Sequence, residues 1–275
     1  MIRQIHEIRN GRNHGPVTSY VSSSNLKDLN PFVLWDHFKM SNVKGTAGFD
    51  FHGHSGVATI SYPQIGAIAH KNTGGHSGLL EAGGIQIMSA GSGVLHKETV
   101  HPDNKVADAF QLWVALPEDE HELGPVTYST QQQEQLPVVE EAHSTTKVLV
   151  GRFNGKQSKA LTPVDMTYLH INLDAEYTWQ YAGEPSQTTA FIFVRHGSVR
   201  IGSKDLSAGE LGVFDKNTSL ITVSALESNA EFVIVSGTPL KQDFISNGAS
   251  LHSSTSNLIA GVRRIKQLQS QQVNQ

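Results

Sequence analysis

Seven short apolar runs constrain this chain more than any other feature. GVATISY (56–62), GIQIMSA (84–90), AFQLWVAL (109–116), TKVLVGRF (146–153), TAFIFV (189–194), GELGVF (209–214) and EFVIVSG (231–237) are rich in β-branched and aromatic residues and bounded by turn formers. Many short strands with glycine-rich turns argue for an all-β sandwich or barrel. Helical periodicity is weak. It is confined to a short stretch near Asp103–Asp108 and to the tail, where Leu258, Ile259, Val262, Ile265 and Leu268 form an apolar stripe near Ser256–Leu268. Such a stripe alone in water is marginal, so the tail is expected to fold back on a barrel.

The strands repeat. GAIAH (66–70) followed by EAGGIQIM (81–88) resembles GSVRI (197–201) followed by SAGELGVF (207–214), at separations of 131 and 126 residues. Between the copies, residues 117–137 are polar with no clear apolar period. This predicts two similar barrels in tandem: 1–120, a linker over 121–145, and 146–275 including the tail.

Histidine and glycine crowd the first copy, with seven of 14 histidines between His37 and His101 and 12 of 25 glycines between Gly45 and Gly93. Within it, FHGHSG (51–56) holds His52 and His54 one residue apart, and HKE (96–98) holds His96 and Glu98. On a strand, residues i and i+2 share a face. If two such strands face each other across a barrel, three imidazoles and one carboxylate converge. That donor set suits Fe(II), Mn(II), Ni(II), Cu(II) or Zn(II), and leaves two positions open on an octahedral ion; zinc could instead close tetrahedrally as a structural ion. The bland alternative is a polar rim on a barrel. Carrying the repeat offsets into the second copy lands on Gly183, Pro185, Thr222 and Ser224, so the quartet is expected to be lost there as a unit. His70 and His76 are expected on a water-facing turn, and His37 and His101 are candidates to bond to the ligands.

Composition removes other classes. The chain has no cysteine, which excludes thiolate metal sites and thiol catalysis. A net charge of −4 gives no basic footprint for direct nucleic-acid binding. No signal peptide and no apolar run near membrane-spanning length is read, which predicts a cytoplasmic protein with no membrane contact.

NLKDLNPFVLWDHF (25–38), the HxH segment and GGIQIMSAGSGVLHKE (83–98) resemble the pirins and bacterial pirin-like proteins of the cupin superfamily; AGELGVF (208–214) and SGTPLKQDFISNGAS (236–250) resemble their C-terminal domain. The resemblance implies two tandem cupin (jelly-roll) β-barrels with a short C-terminal helix and one metal, iron(II) first, held by His52, His54, His96 and Glu98. It implies a dioxygenase acting on flavonol-like aromatics (the quercetin 2,3-dioxygenase type), with Glu98 also a general base, or else a non-enzymatic, redox-responsive regulator of a partner enzyme or transcription factor. Pirins commonly carry proline and a basic residue where this chain has Gly53 and Ser55.

Overall fold

The computed structural model describes residues 2–22 and 26–273. Its Cα framework divides into two compact units. One, the histidine barrel, comprises Asn13–Gln135, Ala160–Val164 and Leu240–Gln275; the other, the apolar barrel, comprises Met1–Arg12, Leu136–Lys159 and Asp165–Pro239. The units therefore do not follow the expected division at 1–120 and 146–275. Strand Ile5–Arg9 pairs with Leu211–Phe214 and buries Ile5 in the apolar barrel, while the tail helix belongs to the histidine barrel.

Each barrel is an antiparallel double-sheet jelly roll of seven plus four strands. In the histidine barrel the seven-stranded order is Thr127–Gln131, Ile85–Ser89, Val57–Ile65, Ala107–Ala115, Phe32–Met40, Val17–Val21 and Arg12–His14. The facing four are Ala47–His54, Val94–His101, Ala67–Asn72 and Ser77–Leu80. The apolar barrel repeats the plan, its four-stranded sheet running Thr178–Tyr181, Ile221–Ala225, Ser198–Ile201 and Lys204–Ser207. The central strand Val57–Ile65 is buried on both faces from Val57 to Pro63, with Val57, Ala58, Ile60 and Tyr62 in the core and Thr59 and Ser61 buried between them.

The matching sheets fix the register of the repeat. His52 lies opposite His96, and His54 opposite Val94; Trp179 lies opposite Val223, and Tyr181 opposite Ile221. The true counterparts of His52, His54, His96 and Glu98 are thus Trp179, Tyr181, Val223 and Ala225, a uniform shift of 127 residues. Gly183, Pro185, Thr222 and Ser224 are displaced from these places because the hairpins of the two copies differ in length. Thr222 and Ser224 also alternate with Val223 and so point to the opposite face.

Three local expectations change. Residues 103–108 form no helix: Asn104 and Lys105 take positive φ and turn the chain tightly between Asp103 and Val106, and a strand begins at Ala107. The expected linker carries edge strand Thr127–Gln131, paired to Ile85–Ser89, and then strand Val138–Glu141; edge strands expose one side, so their apolar pattern is faint. The tail helix spans Thr255–Val273, longer than the stripe suggested. Asn257 N–H donates to Ser254 Oγ at 3.2 Å, capping its first turn.

Candidate metal centre

His52 and His54 end one strand of the four-stranded sheet, and His96 and Glu98 lie on its hydrogen-bonded neighbour, so the two pairs sit side by side in one sheet and do not face each other across the barrel as expected. The pleat sends all four side chains inward, and the register slips between His96 and Glu98, setting Glu98 opposite Phe49. The nitrogen donors of His52, His54 and His96 lie within 4.8 Å of one another. Glu98 enters through a second, overlapping trio with His70 and His96 under the same limit.

Hydrogen bonds orient two of the rings. His52 Nδ1–H donates to the Asp50 carbonyl at 2.8 Å and His54 Nδ1–H to the Ala249 carbonyl at 2.7 Å. A carbonyl can only accept, so both rings keep the proton on Nδ1 and present the Nε2 lone pair. This is the usual outer bonding of a metal-ligating histidine. His54 Nε2 and both nitrogens of His96 are buried without a hydrogen-bond partner among the described residues. Buried orphans of this kind cost about 1–3 kcal/mol each. Converging orphaned lone pairs are what a divalent ion would satisfy, so the residues fit a metal.

The protonation states suit ligation as well. Burial lowers the pKa of His54 to about 4 and of His96 to about 3, leaving both neutral near pH 7. Burial also penalises the Glu98 carboxylate, but His70, His96 and Ser61 outweigh it and bring its pKa to about 2. Ser61 Oγ donates to Glu98 Oε1 at 3.1 Å and Gln111 Nε2 to Oε2 at 3.1 Å, both from the facing sheet. Trp113 packs edge-on to His54 at 4.7 Å between centroids.

His70 is not on a water-facing turn. It is 3% exposed on strand Ala67–Asn72, with Nδ1 3.8 Å from Glu98 Oε1 and Nε2 accepting from Asn72 Nδ2 at 2.9 Å. The turn begins only after Asn72, whose Oδ1 accepts from the backbone N–H of Gly74 and of His76. His37 pairs with Asp108 at 3.0 Å, and His101 ends its strand exposed to solvent. The HxH and HxE spacing puts the four candidates on two neighbouring strands, whereas Ser61, Gln111 and His70 come from other strands and gave no local signal.

Beside Glu98 opens a cavity of about 230 Å³. Its wall is apolar, with Phe38, Met40, Ile68 and Val100 prominent, and Ser61, Glu98 and Gln111 supply polar groups. Phe49, 49% exposed, also lines it and touches His52 edge-on at 5.9 Å.

Among the described residues no helix is long and apolar enough to cross a membrane. Comparison with known proteins agrees with this architecture. The family model "Pirin" matches residues 14–114, and "Pirin C-terminal cupin domain" matches 168–262. Human pirin is 32% identical over 230 residues, covering 81% of this chain and 77% of its own. The fold is similar to a quercetin 2,3-dioxygenase of Acinetobacter baumannii, with TM-score 0.87, 21% identity and 96% of each chain covered. It is also similar to a bacterial pirin from Escherichia coli solved with nickel(II), with TM-score 0.65, 20% identity, and 85% of this chain and 99% of that one covered. With two jelly rolls of cupin type, both family models matched and this degree of identity to human pirin, the chain belongs to the pirin family.

Proposed function

We propose that the histidine barrel holds one divalent metal through His52, His54, His96 and Glu98, and that the protein is a dioxygenase for flavonol-like aromatics of the quercetin 2,3-dioxygenase type. The observation that carries this reading is the trio of converging imidazoles, two of them buried with orphaned nitrogens, beside an apolar cavity. All donors are nitrogen or oxygen. Iron(II) is the first candidate, and Mn, Ni, Cu and Zn share the same ligand preference. The names of the Acinetobacter and Escherichia relatives support the substrate class and the presence of a metal in this fold.

When bound, the ion supplies Lewis-acid polarisation of a chelating oxygen and the redox chemistry that a dioxygenase requires. The protein's part is positioning. Phe38, Met40 and Val100 accept the flat apolar body of a substrate and exclude water, so its polar edge faces Glu98, the proposed ligand on the cavity wall, with Ser61 and Gln111 beside it. Glu98 is held anionic by its donors, which suits ligation; a pKa of about 2 makes it a weak acceptor for the substrate hydroxyl proton. The general-base role thus asks more of Glu98 than ligation does.

The test is anaerobic reconstitution with each metal, metal analysis, and then quercetin loss with oxygen uptake in air. One metal per chain with flavonol consumption, and an iron–nitrosyl EPR signal for the Fe(II) form, is the expected result. Tight binding without turnover of flavonols by any metal form removes the dioxygenase and leaves the redox-responsive regulator.

A further inference from the structure

The departures at Gly53 and Ser55 lie where the C-terminal segment meets the ligand strand. Ala249 accepts the His54 Nδ1 proton, although it lies 195 residues downstream. Ser55 N–H donates to Ser250 Oγ at 3.1 Å, and Leu251 N–H returns a bond to the Ser55 carbonyl at 3.1 Å. Ser55 Oγ–H then donates to His252 Nε2 at 2.9 Å, and His252 Nδ1–H donates to Glu122 Oε1 at 2.7 Å. Glu122 also accepts from Ser253 N–H at 2.8 Å and Ser253 Oγ–H at 2.7 Å. Ser55 and His252 are 0% exposed and Glu122 is 1% exposed.

A serine, histidine and carboxylate in this order have the geometry of an activated nucleophile. Here that chemistry is closed off. The Ser55 side chain is fully buried, and Gly261 of the tail helix lies over it so closely that a Cβ there would overlap both Ser55 Oγ and the His252 ring. A buried, fully bonded polar chain fixes one geometry. The geometry it fixes is that of residues 249–252 against His54 and Ser55.

We propose that the C-terminal segment is a built part of the metal centre: the Ala249 carbonyl, locked by the Glu122–His252–Ser55 chain under Gly261, holds His54 in the tautomer and orientation that ligation needs. This rests on the assignment of His54 as a ligand. Ser55 and His252 are positioning residues. Loss of an outer partner of a metal ligand typically costs about 10–100-fold in affinity.

The experiment uses the full chain and Co(II) as a spectroscopic probe, with affinity set by competition against a chelator. Long-range 1H–15N spectra of the metal-free protein report the His54 tautomer. The expectation is a single Nδ1–H tautomer of His54 in the native protein. His252→Ala and Gly261→Leu should mix the tautomers and weaken Co(II) binding about 10–100-fold. Ser55→Ala, the smallest change, should move both in the same direction and serves if the others fail to fold. Leu268→Ala loosens the far end of the helix without touching the chain, so it should lower Tm and leave affinity alone. Affinity in the three clamp variants equal to native, or an equal loss in Leu268→Ala, overturns the inference while the metal centre stands. Native protein that does not bind Co(II) overturns both.

Discussion

The two barrels share one scaffold and differ in what fills it. Where the histidine barrel places His52, His54, His96 and Glu98, the apolar barrel places Trp179, Tyr181, Val223 and Ala225, each at most 3% exposed and part of one continuous core. Opposite Glu98 stands His70; opposite Ala225 stands Val199. The apolar barrel spends its interior on packing, with Trp179 stacked between Phe153 and Tyr181 and its Nε1–H satisfied by Thr146 Oγ1 at 3.0 Å. At the equivalent positions the histidine barrel leaves His54 Nε2 and both His96 nitrogens without a hydrogen-bond partner among the described residues. That arrangement forfeits stability, and chains keep such local violations where a site is built.

The comparison breaks most visibly at its packed end. Trp179→Ala should destabilise the apolar barrel by about 3–5 kcal/mol through lost transfer energy and a cavity, with an unpaired Thr146 hydroxyl in addition. Metal content per folded chain should not change. Loss of metal in this variant, measured on the refolded fraction, would mean the interiors are not independent.

At the other end, His54→Ala removes a ligand and should weaken metal binding by at least the ~10–100-fold seen for lost outer partners, while the melting of the metal-free protein changes little. His143→Ala, on the surface of the apolar barrel, is the control. A full metal complement in His54→Ala would sink the centre as assigned.

Acid sharpens the contrast. Burial depresses His96 to about 3 from its ordinary 6.5, so between those values the unfolded chain carries a proton that the folded chain refuses. Stability therefore rises with pH across that window; it is complete above about 6.5 and is lost as pH falls toward 3. His54 acts in the same sense down to about 4. His96→Val copies Val223 of the other barrel and deletes one contribution. The metal-free variant should lose less in Tm between pH 7.5 and 5 than the parent, and an equal loss would show that His96 titrates normally.

Much of this was legible in the sequence because the signals are local. Runs dominated by apolar residues, such as AFQLWVAL, mark strands that are largely buried, and a spacing of two fixes a shared face for His52 with His54 and for His96 with Glu98. The repeat was legible as a pattern but not in register, since hairpins of different length shift the offset between blocks. His70 was missed because the turn after it, KNTGGHSG, looked longer than it is. The clamp was invisible for a different reason. Glu122 and Ser55 lie 130 and 197 residues from His252, and nothing in a local window couples residues so far apart. Glu122 also sits in the stretch whose polarity suggested a linker.

The subtlest difference lies on the outer faces of the four-stranded sheets. Gly53 and its counterpart Gln180 both sit between two inward-pointing residues, yet Gln180 is exposed and Gly53 lies under the tail helix. A Cβ at Gly53 would overlap Ile265 Cγ2 and approach Leu95 Cδ2 to 3.2 Å. Its φ is not in the left-handed region, so the obstacle to alanine there is contact rather than backbone strain. Two effects then compete in Gly53→Ala. Restricting the unfolded chain stabilises by about 0.4–1 kcal/mol, and crowding a packed contact typically costs about 1–3 kcal/mol. The end of the Ile265 side chain can move, so the net result should be a small loss, about 1 kcal/mol or less. Ile265→Ala removes the obstacle, and in that background Gly53→Ala should become neutral or stabilising, a coupling of about 0.5–2 kcal/mol in a double-mutant cycle. Gln180→Ala should show no comparable effect. A Gly53→Ala cost that persists unchanged with Ile265→Ala would mean that the helix does not dock on this face.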